Sequence, residues 1–198
     1  MNENLRQHKQ KTITIYAAMH QDVPESVRIS IYADHFRPFV QELESFTDRK
    51  VYVVFGAGEP FSNFDYKGED TMATLRRWEH VGRQYLDRYR AEGFDMDDVH
   101  VAVLVTGEAI TGNMLGVALT WPPKGTGQFA IASVKGYQVI GHEIGHLLGA
   151  RHEDSEVTFN GWWSESYMTP EQQPLRSNSY RFSESNRKNI KNYLATKN

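Results

Sequence analysis

His142-Glu143-Ile144-Gly145-His146-Leu147-Leu148-Gly149-Ala150-Arg151-His152 is the stretch from which the rest of the chain can be read. Its apolar residues, together with Val139 and Ile140 just upstream, recur at helical spacing and predict a helix over 136–150. Residues four apart share a helix face, so His142 and His146 can direct two imidazole nitrogens at one metal ion. Glu143 sits beside the first of these ligands, displaced from the ion but close enough to reach a water on it. His152 lies six residues beyond His146, off the i+3 and i+4 positions of a continuing helix. It can join the other two only if the helix stops and the chain turns. Gly149 supplies the stop, because glycine takes the left-handed conformation at a helix end without steric cost. Three histidines leave a fourth position for water or substrate, which is what a catalytic zinc site requires.

Other elements follow from periodicity. Residues 12–17 have strand character and lead into a turn-rich stretch, 20–26, containing Pro24. The alternation of Val27, Ile29 and Ile31 predicts a strand over 27–31. Asp34 is placed to cap a helix with Pro38 in its first turn and with Phe36, Phe39, Val40, Leu43 and Phe46 on one face. Residues 50–55, almost wholly apolar, predict an interior strand. Asp70 starts a longer helix carrying Leu75, Trp78, Gly82, Tyr85, Leu86 and Tyr89, and Gly93 ends it. Residues 99–105 form a third apolar strand. Strand, helix, strand, helix, strand implies parallel neighbours joined by right-handed crossovers. Two short strands, 115–120 and 129–133, flank the loop 121–127, through which Pro122-Pro123 and two glycines argue against a continuous strand. Residues 151–182 are irregular, and 183–196 predict a terminal helix with Ile190, Tyr193 and Leu194 turned inward. The expected organisation is an N-terminal extension (1–26), an N-terminal subdomain with the active-site helix (27–149) and a C-terminal subdomain (150–198), making one catalytic domain.

The chain has 198 residues, 39% of them hydrophobic and 24% charged, which suits one globular domain. A net charge of -3 leaves no basic surplus to neutralise phosphates, so nucleic acid is excluded as the main partner. Without cysteine, the metal site has no thiolate ligands and the fold no disulfides. No apolar run approaches a membrane span. The polar start is no signal peptide, so the expected location, secreted or delivered outside the producing cell, goes with either a mature or excised chain or an export route that needs no such signal.

The pattern H-E-x-x-H-x-x-G-x-x-H, followed by Ser166-Tyr167-Met168-Thr169-Pro170 with its methionine 16 residues after His152, resembles the signature of the metzincin metallopeptidases. That family includes astacins, reprolysins, matrixins and serralysins. The resemblance implies an α/β (α+β) fold: a twisted five-stranded mixed sheet with an antiparallel edge strand, backing helices, an active-site helix and a small C-terminal subdomain. It implies one catalytic zinc ion on His142, His146 and His152, Glu143 as general base, Gly149 at the turn and Met168 as the methionine of the Met-turn beneath the metal. Gly116, Val117, Ala118 and Leu119 correspond to the substrate-binding edge strand and look most like that of reprolysins. Glu153 follows the third histidine as in astacins. Astacins and serralysins have a tyrosine two places after the methionine, where this chain has Pro170, so a fifth, tyrosine ligand is not implied and the reprolysin and matrixin branches are nearer.

The function so implied is zinc-dependent hydrolysis of internal peptide bonds in extended protein or peptide substrates by a monomer. Zinc acidifies a water, Glu143 takes its proton, the oxygen attacks the scissile carbonyl, and Glu143 returns the proton to the leaving amine. Alternatives are a protease-domain toxin or effector with narrow targets, or an inactive peptide-binding module, against which retention of Glu143 argues. Structural calcium stays open. In metzincins a prime-side pocket is walled by the segment after the Met-turn, here 171–181, where Arg176 and Tyr180 either shape the pocket or belong to a solvated loop. Trp121, Trp162 and Trp163 are expected to pack the small lobe rather than line the cleft. His8, His20, His35, His80 and His100 lack ligand spacing and are expected as surface or satisfied interior groups. Asp22 could occupy the open metal position as a latency group, against its plainer reading as a turn residue.

Overall fold

The computed structural model describes residues 10–94, 96, 98–121, 126–171 and 173–197. A five-stranded mixed sheet forms its centre, in the order β2-β1-β3-β5-β4, from β1 (Thr12–Met19), β2 (Lys50–Gly56), β3 (Val99–Thr106), β4 (Gly116–Trp121) and β5 (Thr126–Ser133). The pairs β1–β2, β1–β3 and β3–β5 are parallel, whereas β4 runs antiparallel to β5 at the edge. Helices α1 (Glu25–Ile31), α2 (Arg37–Phe46), α3 (Thr71–Ala91), α4 (Val139–Leu147) and α5 (Glu184–Ala195) surround it. A small second sheet holds β6 (Val157–Phe159), β7 (Trp163–Glu165) and β8 (Ser177–Asn178) in the stretch expected to be irregular.

Strand alternation divides the core. Val101, Val103 and Val105 of β3 face α1, α2, α4 and α5, meeting Phe39, Leu43, Ile140, Ile144 and Ile190. Ala102 and Leu104 face α3 and the preceding loop, meeting Leu75, Trp78, Phe61 and Phe64. Covered on both faces, β3 is apolar without a break from Val101 to Val105, as a parallel strand in a layered fold requires. Asp70 caps α3 as expected, its side chain accepting from the Ala73 N–H at 2.9 Å.

Two expectations fail at the start of the chain. Residues 1–26 are not simply an extension, because β1 lies between β2 and β3 in the middle of the sheet. Residues 27–31 are helical, not a strand, and Ile29 is 82% exposed. Apolar alternation misled here because Ile29, between Val27 and Ile31, lies on the exposed face of α1. The helix then passes through a π-helical turn, Tyr32–Phe36, closed by the Arg37 N–H donating to the Tyr32 carbonyl, and the buried stripe continues from Ile31 through His35 and Phe36 to Phe39, Val40 and Leu43. Asp34 lies inside this turn, accepting from the Ser30 hydroxyl at 2.6 Å, and caps no helix. The Pro122-Pro123 segment lies outside the described residues.

Candidate metal centre and cleft

The helix carrying the first two histidines is almost wholly buried through Val139, Ile140, Ile144 and Leu147, which fixes the side from which His142 and His146 project. It ends as the glycine predicts. Gly149 has φ +94°, its N–H donates to the His146 carbonyl at 3.0 Å, and the Ala150 N–H donates to the Gly145 carbonyl at 2.9 Å. This pair of bonds is a Schellman ending, and it turns the chain so that His152 comes back over α4.

The three Nε2 atoms converge. His142 and His146 stand 3.2 Å apart, and His152 lies 3.0 Å from each. Donors about 2.0–2.1 Å from one ion at tetrahedral angles would stand roughly 3.3 Å apart. The ring orientations agree with that use. Nδ1 of His142 lies 2.7 Å from the Tyr167 carbonyl, and Nδ1 of His146 lies 3.1 Å from the Ala150 carbonyl. A carbonyl can only accept, so each Nδ1 carries the proton and each Nε2 offers its lone pair. Burial, reinforced by the neighbouring histidines, pushes His142 down to about 3, and burial with His152 nearby pushes His146 down to about 4. Both rings therefore stay neutral to well below neutral pH, the form that binds a metal. Three imidazole donors with no thiolate fit zinc, a borderline-soft ion that takes this donor set.

Glu143 lines the same cleft and is buried, which pushes its carboxyl up to about 8. It packs against β4 at Gly116, where a Cβ would stand 2.3 Å from the Glu143 Oε1. Met168 is wholly buried under α4, its sulfur 2.8 Å from where a Cβ on Gly145 would be. The tight turn around it is closed by the Thr169 N–H donating to the Ser166 carbonyl at 3.1 Å. The same turn supplies the Tyr167 carbonyl to His142, so the segment around Met168 reaches the histidine cluster through its backbone.

A cleft of about 820 Å³ runs past these groups, between β4 on one side and Thr169, Pro170, Glu171 and Gln173 on the other. Gly116, Val117 and Ala118 line it. Leu119 does not: it is 2% exposed and packs with the α3-side cluster, as alternation along a strand demands. Strand β4 has no strand partner beyond it among the described residues. The Ser133 N–H donates to the Leu115 carbonyl, so Leu115, and by alternation Val117, turn their backbone groups to β5. Those of Gly116 and Ala118 then point out of the sheet edge.

Other candidates fall elsewhere. Arg176 and Tyr180 are not among the cleft-lining residues, and Arg176 sits 3.8 Å from the buried Glu165 carboxylate. Trp121, Trp162 and Trp163 neither line the cleft nor pack an interior, being 48%, 59% and 52% exposed. Asp22 is engaged away from the histidines: its carboxylate accepts from the Gly107 N–H at 2.8 Å, meets His20 Nδ1 at 2.6 Å and takes the Tyr66 hydroxyl proton bond. That triple engagement overturns the latency idea. His20 is thereby a satisfied interior group, His80 is a surface group, and His100 is half-buried on the Asp98 carbonyl. His35 is buried with its Nδ1 unpartnered, and His8 lies outside the described residues. Sequence reasoning missed Asn186, which is wholly buried and bonds both backbone groups of Arg151, next to His152. Its only sequence signal is local, as the third residue after the capping Ser183.

No family model and no curated protein matches the chain. A solved structure described as "Structure of a chaperone-substrate complex" is similar in fold, with a TM-score of 0.53 and 12% identity over 95% of this chain and 34% of that chain. The chain thus spans about a third of that neighbour's length. At that identity the likeness concerns the α/β fold alone.

Proposed function

We propose that the protein is a zinc-dependent endopeptidase of the metzincin type, nearest the reprolysin and matrixin branches, acting on extended protein or peptide segments. The observation that carries this reading is the convergence of the His142, His146 and His152 Nε2 atoms beside a buried carboxylate and an open strand edge, all in one cleft.

Zinc, when bound, supplies Lewis acidity that acidifies water and polarises a carbonyl oxygen. His142, His146 and His152 hold the ion, and the carbonyls of Tyr167 and Ala150 keep two of the rings in the binding tautomer. The outward backbone groups of Gly116 and Ala118 pair with an extended peptide, aligning its scissile bond along α4. Glu143, out of bulk water and held against Gly116, accepts the proton of the attacking water at its carboxylate and passes it to the leaving amine. Binding mostly through backbone groups leaves side-chain preference to the wall formed by Thr169, Pro170, Glu171 and Gln173.

The test is digestion of a proteome-derived peptide library by the zinc-loaded protein, with Glu143→Ala as control. Cleavage by the parent chain, reduced about 10²–10⁴-fold in the variant, is expected. Absence of Glu143-dependent cleavage across conditions would sink the enzyme reading.

A further inference from the structure

His152 differs from the other two histidines. It lies off the helix, in a short 3₁₀ turn (His152–Asp154), and its side chain is exposed. Among the described residues no carbonyl or carboxylate holds its Nδ1, whereas His142 and His146 each have one. Beyond its contacts with the other two histidine rings, no side chain or carbonyl among the described residues is seen to hold it, so its place depends on the backbone on either side.

That backbone is gripped from the C-terminal helix. Arg151 is extended, with φ -136° and ψ 150°, so its N–H and C=O point to the same side. A single carboxamide, with one acceptor and one donor, can bond both. Asn186 does so: its Oδ1 accepts from the Arg151 N–H at 2.7 Å and its Nδ2 donates to the Arg151 carbonyl at 3.0 Å. On the far side of His152, the Ser183 hydroxyl donates to the Asp154 carbonyl, and the Asn189 Nδ2 donates to the Asp154 carboxylate at 2.6 Å. Ser183 also caps α5 by accepting from the Asn186 N–H at 3.1 Å, so the grip and the helix start are one unit.

We propose that Asn186 is the positioning residue for the third metal ligand, with Ser183 and Asn189 in support, so that α5 belongs to the metal centre although it supplies no ligand. The proposal rests on the zinc reading of the three histidines. Asn186→Ala releases the Arg151 backbone, and His152 with it; the Ala150 carbonyl that meets His146 Nδ1 shares a peptide with the freed N–H, but Ala150 stays tied through its own N–H to the Gly145 carbonyl at 2.9 Å.

The test is zinc affinity measured against a chelator, with Co²⁺ absorption as the signature of coordination, for the wild-type chain, Asn186→Ala, His152→Ala and the double variant. Asn186→Ala is expected to weaken zinc binding about 10–100-fold, as loss of an outer-shell partner does, and to lower the visible Co²⁺ absorption. In the His152→Ala background the same substitution is expected to change affinity less than about twofold, because its effect runs through His152. Unchanged affinity in Asn186→Ala, or an equal loss in both backgrounds, overturns the proposal and leaves Asn186 a stabilising residue only. Should Asn186→Ala not fold, Asn189→Ala, at a half-buried position, replaces it, with a several-fold loss expected that is again absent beside His152→Ala. Wild-type protein that binds neither ion, or binds it indifferently to His142→Ala and His152→Ala, refutes the metal reading itself and the proposal with it.

Discussion

Glu143 and Gly116 meet closely across the cleft. In the proposed reaction the Glu143 carboxylate must reach both a water and a leaving amine, and its position is set by a strand residue with no side chain. Gly116→Ala would put a Cβ 2.3 Å from Oε1 and 2.7 Å from Cγ of Glu143, and the acid must move. Because displacement of a reacting group by about 1 Å can cost 10²-fold, kcat/KM on a fluorogenic peptide is expected to fall about 100-fold in that variant. Zinc affinity should stay at the parent value, since Gly116 touches no histidine contact found here; a parallel loss of zinc would place the damage elsewhere. The grouping of His142, His146 and His152 beside Glu143 was legible residue by residue, because histidine, glutamate and glycine at fixed spacing each have a local reason. Their partners were not. The carbonyls of Tyr167 and Ala150 are backbone atoms, identical in every sequence, and only the turns that present them select them.

At the scale of elements, β4 has the most to say about function. Its ladder to β5 uses the backbone of Leu115 and Val117, which frees that of Gly116 and Ala118. Ala118→Pro removes one outward N–H without taking a bond from the sheet, which an edge strand tolerates. One lost hydrogen bond of about 0.5–1.5 kcal/mol corresponds to roughly a 2- to 12-fold fall in kcat/KM, expected mainly in KM and with the melting temperature little changed. A fall in melting temperature without a change in KM would mean that substrate does not pair along this edge. Strands β1 to β5 and helices α2 and α3 were readable, the strands as apolar runs and the helices from one buried face. Helix α1 was not, since the exposed Ile29 completes with Val27 and Ile31 an apolar alternation that imitates a strand.

Across the whole molecule, buried titratable groups tie stability to pH. His100 and His35 are pushed down mainly by burial, so they stay neutral in the fold while the unfolded chain takes up protons near pH 6.5. Their contribution is complete above about pH 6.5 and is lost as pH falls from there towards the folded values. Asp98 is raised by burial but lowered more by the N–H groups of Thr12 and Val99 and by Arg49. It joins the ends of β1 and β3 to the C-terminal region, where Arg49 also donates to the carbonyls of Leu194 and Lys197. Its contribution is present above about pH 3.9 and lost as pH falls through its lower folded value. Melting temperatures from pH 8 to 3, at fixed zinc load, should therefore fall in two stages. His100→Gln is expected to shrink the drop that begins below about pH 6.5, and Asp98→Asn the drop below about pH 4. Profiles parallel to the parent's in both variants would remove these groups as the cause.

The sequence by itself determined that His142, His146 and Glu143 share one helix and that the chain turns at Gly149 to bring His152 back, because each depends on spacing along a few residues. It also determined most strands, because burial on both faces leaves continuous apolar runs. Only the tertiary structure decided that β1 runs through the middle of the sheet, that Leu119 turns away from the cleft and that Asp22 is held by Gly107, His20 and Tyr66. It alone brought Asn186 to Arg151, 35 residues away along the chain. These are long-range pairings of ordinary groups. Local composition carries no mark of them, since the same amide or carboxylate side chain serves as well in a solvated turn until packing chooses its partner.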